Sequence, residues 1–319
     1  METKQKYLDE VYDVIDSAAR VHATSFDQEY CFDSIVDEGY IRIAIKVNIT
    51  IDNVRTTTRA ELRRICSFLR CVPLIVGEKT RKRPLHDGVV HTRGSIPAIT
   101  LETLRQLLEE KKLPFIITKK GGIYAIVNGD KLKEIRKAQN YSRGTIAEEL
   151  GLSRRAIYEY ERGTMNPTID VALRLEKLLD SQFIQPFNLL ELNAAREVPN
   201  MINQFTGKET KLAKRALEVM SRLGFRSTIT NNTPFDMLTS LRQSVLLSYL
   251  KQGLEKLNEE RFYFLVKLSE VLNEELTIIA SDHPSVESIK GIPVIYLNEL
   301  LAIEKPKEFI TLIRSRRGA

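Results

Sequence analysis

The chain has 319 residues, of which 43% are hydrophobic and 28% charged, and a formal net charge of +6. That length fits two or three domains with cores of their own, and the composition excludes a disordered chain. It has no apolar run of the roughly 18 residues that a membrane helix needs, and METKQKYLDEVYDVID lacks a signal-peptide hydrophobic region, so a cytoplasmic protein without a membrane partner is expected.

In chain order, residues 4 to 22 read as a helix, 28 to 37 and 40 to 51 as strands, 57 to 70 as a helix, 72 to 77 as a buried strand, and 96 to 110 as a strand followed by a helix. Strands alternating with helices imply an α/β sheet with helices on its faces. Cys31, Cys66 and Cys71 form neither a disulfide framework nor a CxxC pair and read as buried free thiols. His86 and His91 have HxxxxH spacing, but a loop carrying them without a third ligand reads as polar rather than metal-binding. No Gly-rich phosphate loop, GxSxG elbow or HExxH motif is present, so neither cofactor nor metal is expected. Next, PFIITKKGGIYAIV places two apolar runs around Lys119-Lys120-Gly121-Gly122, the pattern of a β-hairpin with a basic tip.

Residues 142 to 167, SRGTIAEELGLSRRAIYEYERGTMNP, carry the most specific signal. Ser142 is a plausible N-cap, and Ile146 and Leu150 fall on one helical face with small Ala147 between them. Gly151 suits a left-handed helix end, and Ser153 caps a second helix after a very short turn. In that helix Ile157 and Tyr160 face inward, leaving Arg154, Arg155, Tyr158, Glu159 and Arg162 outside. A following helix would close the bundle with Val171, Leu173, Leu175, Leu178 and Leu179. From Lys111 to Thr145, nine basic side chains (Lys111, Lys112, Lys119, Lys120, Lys131, Lys133, Arg136, Lys137, Arg143) face only Asp130 and Glu134, an excess that fits a phosphate footprint.

Residues 182 to 208, with Pro186 and Pro199, read as a connector. Beyond it the chain repeats itself at an offset of 203 residues: Phe32-Asp33 falls on Phe235-Asp236, Leu62, Ile65, Phe68 and Leu69 on Leu265, Leu268, Val271 and Leu272, and Ile75-Val76 on Ile278-Ile279. With a loop seven residues shorter in the second copy, Ile96-Pro97-Ala98-Ile99 falls on Ile292-Pro293-Val294-Ile295. Whether the copies pair within one chain or across two is open at this point.

Two resemblances follow. The run from Asp130 to Asp180 resembles the Cro and lambda-repressor type of helix-turn-helix, the xenobiotic-response-element family, through Leu132, Ile135, Arg136, SRGTIAEELGLS and IxxYERGxxNP. It implies double-stranded DNA as partner, with Arg154, Arg155, Tyr158 and Glu159 on base edges and Arg143 and Arg162 on phosphates; Lys119, Lys120 and Lys131 would extend the phosphate contacts. Arg143 stands where many members carry glutamine.

The order of elements, with FDSIVDEGYIRIAIKV, resembles the Holliday-junction-resolvase and restriction-endonuclease fold, in which an Asp and a Glu-x-Lys on adjacent strands hold Mg²⁺. Asp33 takes the aspartate position and Lys46 the lysine position, but Ala44 replaces the glutamate. In the second copy Asp236 is present, the facing strand offers Leu247 or Tyr249, and Lys251 could mimic the lysine. Glu61 could supply a ligand from the next helix, yet its repeat partner is Phe264. A divalent ion needs several hard oxygen ligands, so both copies read as degenerate, with no catalytic residue.

The expected fold is mixed α/β: a degenerate resolvase-like α/β domain at 1–112, a basic β-hairpin at 113–129, an all-α helix-turn-helix domain at 130–181, a connector at 182–208 and a second degenerate resolvase-like domain at 209–319. This arrangement resembles a family of archaeal helix-turn-helix regulators. The resemblance implies sequence-specific, nucleoid-associated regulation of transcription by a homodimer on a two-fold site, rather than an enzyme, with any protein partner or effector unidentified. A structure-selective Mg²⁺-dependent nuclease and an antitoxin-like autoregulatory protein are the alternatives.

Overall fold

The computed structural model describes residues 2–24, 30–119, 122–187, 210–241, 244–254, 257–281 and 286–317. The chain divides into two compact units, one of Met1–Val14, Asn48–Asn53 and Ile75–Leu192, the other of Ile15–Val47, Val54–Leu74 and Asn193–Ala319. Its elements begin with α1 (Glu2–Ala18), β1 (Val21–Thr24), β2 (Ser34–Asp37), β3 (Arg42–Val47), α2 (Thr56–Leu69) and β4 (Val72–Val76). There follow β5 (Val89–Arg93), β6 (Ile96–Ile99), α3 (Leu101–Glu109), β7 (Ile116–Lys119) and β8 (Gly122–Ala125). Four helices come next: α4 (Gly129–Ala138), α5 (Arg143–Leu150), α6 (Arg154–Glu161) and α7 (Ile169–Leu179). The remainder is α8 (Lys211–Arg222), β9 (Arg226–Ile229), β10 (Met237–Ser240), β11 (Val245–Lys251), α9 (Glu259–Leu272), β12 (Glu275–Ala280), β13 (Ser288–Ile289), β14 (Ile292–Tyr296), α10 (Leu297–Ala302) and α11 (Pro306–Ser315).

In the first unit, Ile75 and Val76 pair in parallel with Ala98 and Ile99, β6 pairs antiparallel with β5, and β5 pairs in parallel with β7. The β7–β8 hairpin forms as expected, with Lys119 opposite Gly122. It shares a core with the helices that follow. Ala125 N–H donates to the Pro167 carbonyl at 3.0 Å, and Ala125 and Val127 are buried in one cluster with Leu132, Ile146, Leu150, Ile157, Leu175 and Leu179. Burying these side chains together orders the hairpin and the bundle as one body.

In the second unit, β1, β2 and β3 form an antiparallel meander, and a six-stranded sheet runs β13-β14-β12-β11-β10-β9. The repeat is visible in the strand register. Ser34 faces Ile45 and Asp37 faces Arg42; 203 residues on, Met237 faces Ser248 and Ser240 faces Val245. Likewise the pair Ile75–Ala98 in the first unit has its counterpart in Ile278–Val294. Parts of the two copies meet within this second unit. The equivalent rings of Phe32 and Phe235 lie 6.5 Å apart, Cys31 N–H donates to the Asn232 carbonyl at 2.7 Å, α2 packs on β10, and α9 packs on β1 and β2. Equivalent residues in mutual contact are what a local two-fold relation produces. The pairing left open by the sequence is thus made within one chain.

Two short strands differ from the expectation. The helix drawn to residue 22 ends at Ala18, and Val21–Thr24 is β1, held by pairing Val21 with Asp37; the strand drawn from 28 begins at Ser34, while residues 25–29 lie outside the described residues. The segment read as a polar loop contains β5. Gly94 (φ 56°) and Ser95 (φ 62°) make a two-residue turn with both centres left-handed, which matches the twist of the β5–β6 hairpin. His91 therefore lies buried on a strand, its Nδ1 3.1 Å from Thr118 Oγ1 and its Nε2 accepting from His86 N–H at 3.3 Å. Burial, reinforced by His86 and Arg83, lowers its pKa to about 4, so the ring is neutral. Cys31, Cys66 and Cys71 are buried free thiols. Of the connector, residues 188–208 lie outside the described residues. Among the described residues no helix is long and apolar enough to cross a membrane.

Candidate nucleic-acid interface

The turn between α5 and α6 is set by three side-chain and backbone choices. Ser142 Oγ accepts from Thr145 N–H at 3.0 Å, Gly151 ends α5 at φ 67°, and Ser153 Oγ accepts from Ala156 N–H at 3.1 Å. Ile146, Ala147, Leu150, Ile157 and Tyr160 are buried, which fixes the opposite face of α6 outward. On that face Arg154, Arg155, Tyr158 and Arg162 are exposed, and the Arg155 side chain is 87% exposed. Arg154 lies across Gly144, where an added Cβ would sit 2.9 Å from Arg154 Nε. The Tyr158 ring carries Arg143 at 5.0 Å and Arg162 at 5.4 Å, two cation–π contacts that stiffen the surface. Arg143, Gly144, Arg154, Arg155 and Tyr158 thus line one open cleft.

Beneath the cleft lies an ion cluster that the sequence reading missed. Glu161, its side chain 1% exposed, accepts from Arg136 Nε at 2.5 Å and from Arg143 Nε at 2.7 Å. Burial would raise its pKa, but hydrogen bonds from the two arginines outweigh burial and hold the carboxyl below its ordinary value. Arg136, counted above among the phosphate-facing cations, is instead buried, and it also donates to the Tyr141 carbonyl at 2.9 Å. Arg143 is divided between roles: it is bound to Glu161, yet 38% of its side chain remains exposed. The signal was present in the spacing, because Arg136 and Glu161 are both positions of the helix-turn-helix resemblance.

Other expected residues fall as follows. Glu159 is half-buried, accepts from the Thr164 hydroxyl and lies 3.8 Å from Arg155 Nε, so it is less free than a base reader was expected to be. Lys131 is exposed on the first turn of α4. Lys119 pairs through its backbone in β7, while its side chain and the whole of Lys120 lie outside the described residues. Leu173, assigned to the core, is 54% exposed; Ala172, Leu175 and Leu179 form the buried stripe of α7. Gly129, the first residue of α4, approaches the end of α6 so closely that a Cβ would lie 2.5 Å from the Glu161 carbonyl oxygen and 2.6 Å from that of Tyr160.

The nuclease-like positions are built into the fold. Asp33, 1% exposed, accepts from Lys46 Nζ at 2.8 Å and from Val47 N–H at 2.6 Å, while Ala44 beside them is fully buried. In the second copy Asp236 accepts from Leu250 N–H at 2.8 Å, the equivalent backbone bond. The register puts Leu247 at the Ala44 position and Tyr249 at the Lys46 position. The lysine role suggested for Lys251 is instead taken by Arg261 of α9, whose guanidinium donates to Asp236 at 2.7 Å; Lys251 lies over the Tyr249 ring at 4.8 Å. Glu61 is bound by Arg64 and by Asn231 N–H at 2.9 Å, with its pKa raised by burial. Among the described residues no group of three or more His, Cys, Asp or Glu side chains is placed to hold a metal ion.

Comparison with known proteins agrees with this geometry. Residues 4–114 match a PD-(D/E)XK superfamily domain and residues 132–183 a helix-turn-helix family. The chain is 33% identical over 289 residues to "Putative HTH-type transcriptional regulatory protein MJ1164" of Methanocaldococcus jannaschii, covering 89% of each chain. It is 30% identical to the protein of the same description, Ta1363, from Thermoplasma acidophilum, again covering 89% of each. A relative so described from Methanobrevibacter smithii is 26% identical over 99% of both chains. No solved structure matches the chain. The protein belongs to this archaeal family of HTH-type transcriptional regulatory proteins, with a Cro-type DNA-binding domain following a PD-(D/E)XK domain.

Proposed function

We propose that the protein reads a specific duplex sequence through the first turn of α6, with Arg154 and Arg155 donating to guanine edges and Tyr158 and Glu159 completing the base contacts. The observation that carries this reading is the exposure of both arginines beside capped, well-packed backbone. A guanidinium fork matches the O6 and N7 acceptors of guanine in the major groove. Arg143, Arg162, Lys131, Lys119 and Lys120 hold the flanking phosphates.

The described residues hold one helix-turn-helix, so a homodimer on a two-fold site supplies the second. The two α/β copies, at 1–112 and 209–319, act as a non-catalytic scaffold of this cytoplasmic, nucleoid-associated regulator. Their aspartates are committed to Lys46 and Arg261. Selection from a random duplex library tests the reading directly: one enriched two-fold sequence is expected, and recovery of unrelated sequences contradicts it. Incubation with Mg²⁺ and with linear or branched DNA is expected to leave both intact; cleavage abolished by Asp33→Ala would replace the scaffold reading with a nuclease.

A further inference from the structure

In the first unit a cavity of about 580 Å³ lies against the last turn of α6, a size within the range of about 300–1,000 Å³ typical of small-molecule sites. Its lining is mixed in chemistry. Val90, Ile117 and Val127, all buried, supply apolar surface, and Lys133, Arg162 and Asn166 supply cationic and polar groups. Two further lining carboxylates, Glu161 and Asp130, differ in availability: Glu161 is neutralised by Arg136 and Arg143, and Asp130 is exposed, which leaves Lys133 and Arg162 in excess over one open carboxylate. The balance favours a negative group above an apolar body.

The position links this chemistry to the proposed DNA reading, on which the inference rests. Arg162 lines the cavity and also reaches Tyr158, its Nη1 3.4 Å from the tyrosine hydroxyl. We propose that the cavity is an effector site for a small amphipathic anion, an apolar ring or chain bearing a carboxylate or sulfonate. The bound anion draws Arg162 away from Tyr158 and from its phosphate, so occupancy lowers affinity for DNA and, by linkage, DNA lowers affinity for the anion.

The probe is 1-anilinonaphthalene-8-sulfonate, with neutral N-phenyl-1-naphthylamine as its uncharged counterpart. One saturable site is expected on the full chain, with the neutral probe at least tenfold weaker. Thr118 lines the cavity and Thr92 stands exposed at its edge, so Thr118→Trp and Thr92→Trp are expected to weaken sulfonate binding about tenfold. Circular dichroism checks that each variant is folded, and Thr92→Trp serves if the more interior change unfolds the chain. In a mobility-shift titration on the selected duplex, saturating sulfonate is expected to weaken binding by the wild type about tenfold and by the tryptophan variants hardly at all. Equal sulfonate binding by the wild type and both folded variants overturns the site. Unchanged DNA affinity in the wild type overturns the regulation. If no duplex is preferred but the tryptophans still block the probe, the site stands while the DNA reading and its regulation fail.

Discussion

The two copies of the α/β repeat treat the same aspartate differently. Asp33 and Asp236 each accept an amide N–H from the neighbouring strand fourteen residues on, at Val47 and Leu250. The cation differs. Lys46 comes from the facing strand and leaves the Asp33 side chain 2% exposed, whereas Arg261 reaches in from a helix and leaves Asp236 29% exposed. The backbone bond is the shared feature, and the charge partner changed around it. The bond to the backbone is a structural role for the carboxylate that both copies share.

That comparison has graded consequences. Asp33→Ala is expected to cost about 4 kcal/mol in urea unfolding, because it leaves Lys46 buried without its counter-charge. Replacing both partners, as Asp33→Leu with Lys46→Met, is expected to recover only the part due to the buried charge, because Val47 N–H still lacks its acceptor; full recovery would mean that the amide bond contributes nothing. Glu161→Gln tests the buried cluster of Glu161 with Arg136 and Arg143 and is expected to cost about 3 kcal/mol. Its carboxyl is held below the ordinary value in the folded chain, so its contribution is full above the ordinary carboxylate range and is lost as pH falls through the depressed value. The gap between wild type and Glu161→Gln should therefore narrow as pH falls below the ordinary carboxylate range. Gly129→Ala, whose Cβ meets backbone oxygens of α6, is expected to cost about 2 kcal/mol and to lower DNA affinity with it. Asp236→Asn should cost about 1 kcal/mol, since its partly exposed pair is screened. An equal loss for Asp33→Ala and Asp236→Asn would contradict the difference drawn between the copies.

Much of this organisation was legible because local and periodic signals agree. Ser142, Gly151 and Ser153 cap and turn the helices where their side chains and conformations dictate, and the 203-residue offset carries through to the strand register. What escaped depends on distant partners. β1 is four residues long and exists by pairing with β2, and β5 follows from a Gly94-Ser95 turn, a weaker signal than Asn-Gly. Arg261 sits 25 residues on from the aspartate that it pairs with, beyond both β10 and β11. Leu173 was assigned inward from its residue type, but the stripe of α7 runs through Ala172, Leu175 and Leu179. Glu161 lay inside the recognised YERG segment, yet its role as the acceptor for Arg136 and Arg143 requires α4, α5 and α6 to be assembled.

The central claim is that the first turn of α6 distinguishes bases. Titrating the wild type and Arg154→Ala against the selected duplex, and against versions altered at one guanine at a time, tests it most directly. The account predicts a loss of about 1–3 kcal/mol for Arg154→Ala, with preference relaxed at one position only. Equal weakening on every duplex, with the preference at each position intact, would contradict it.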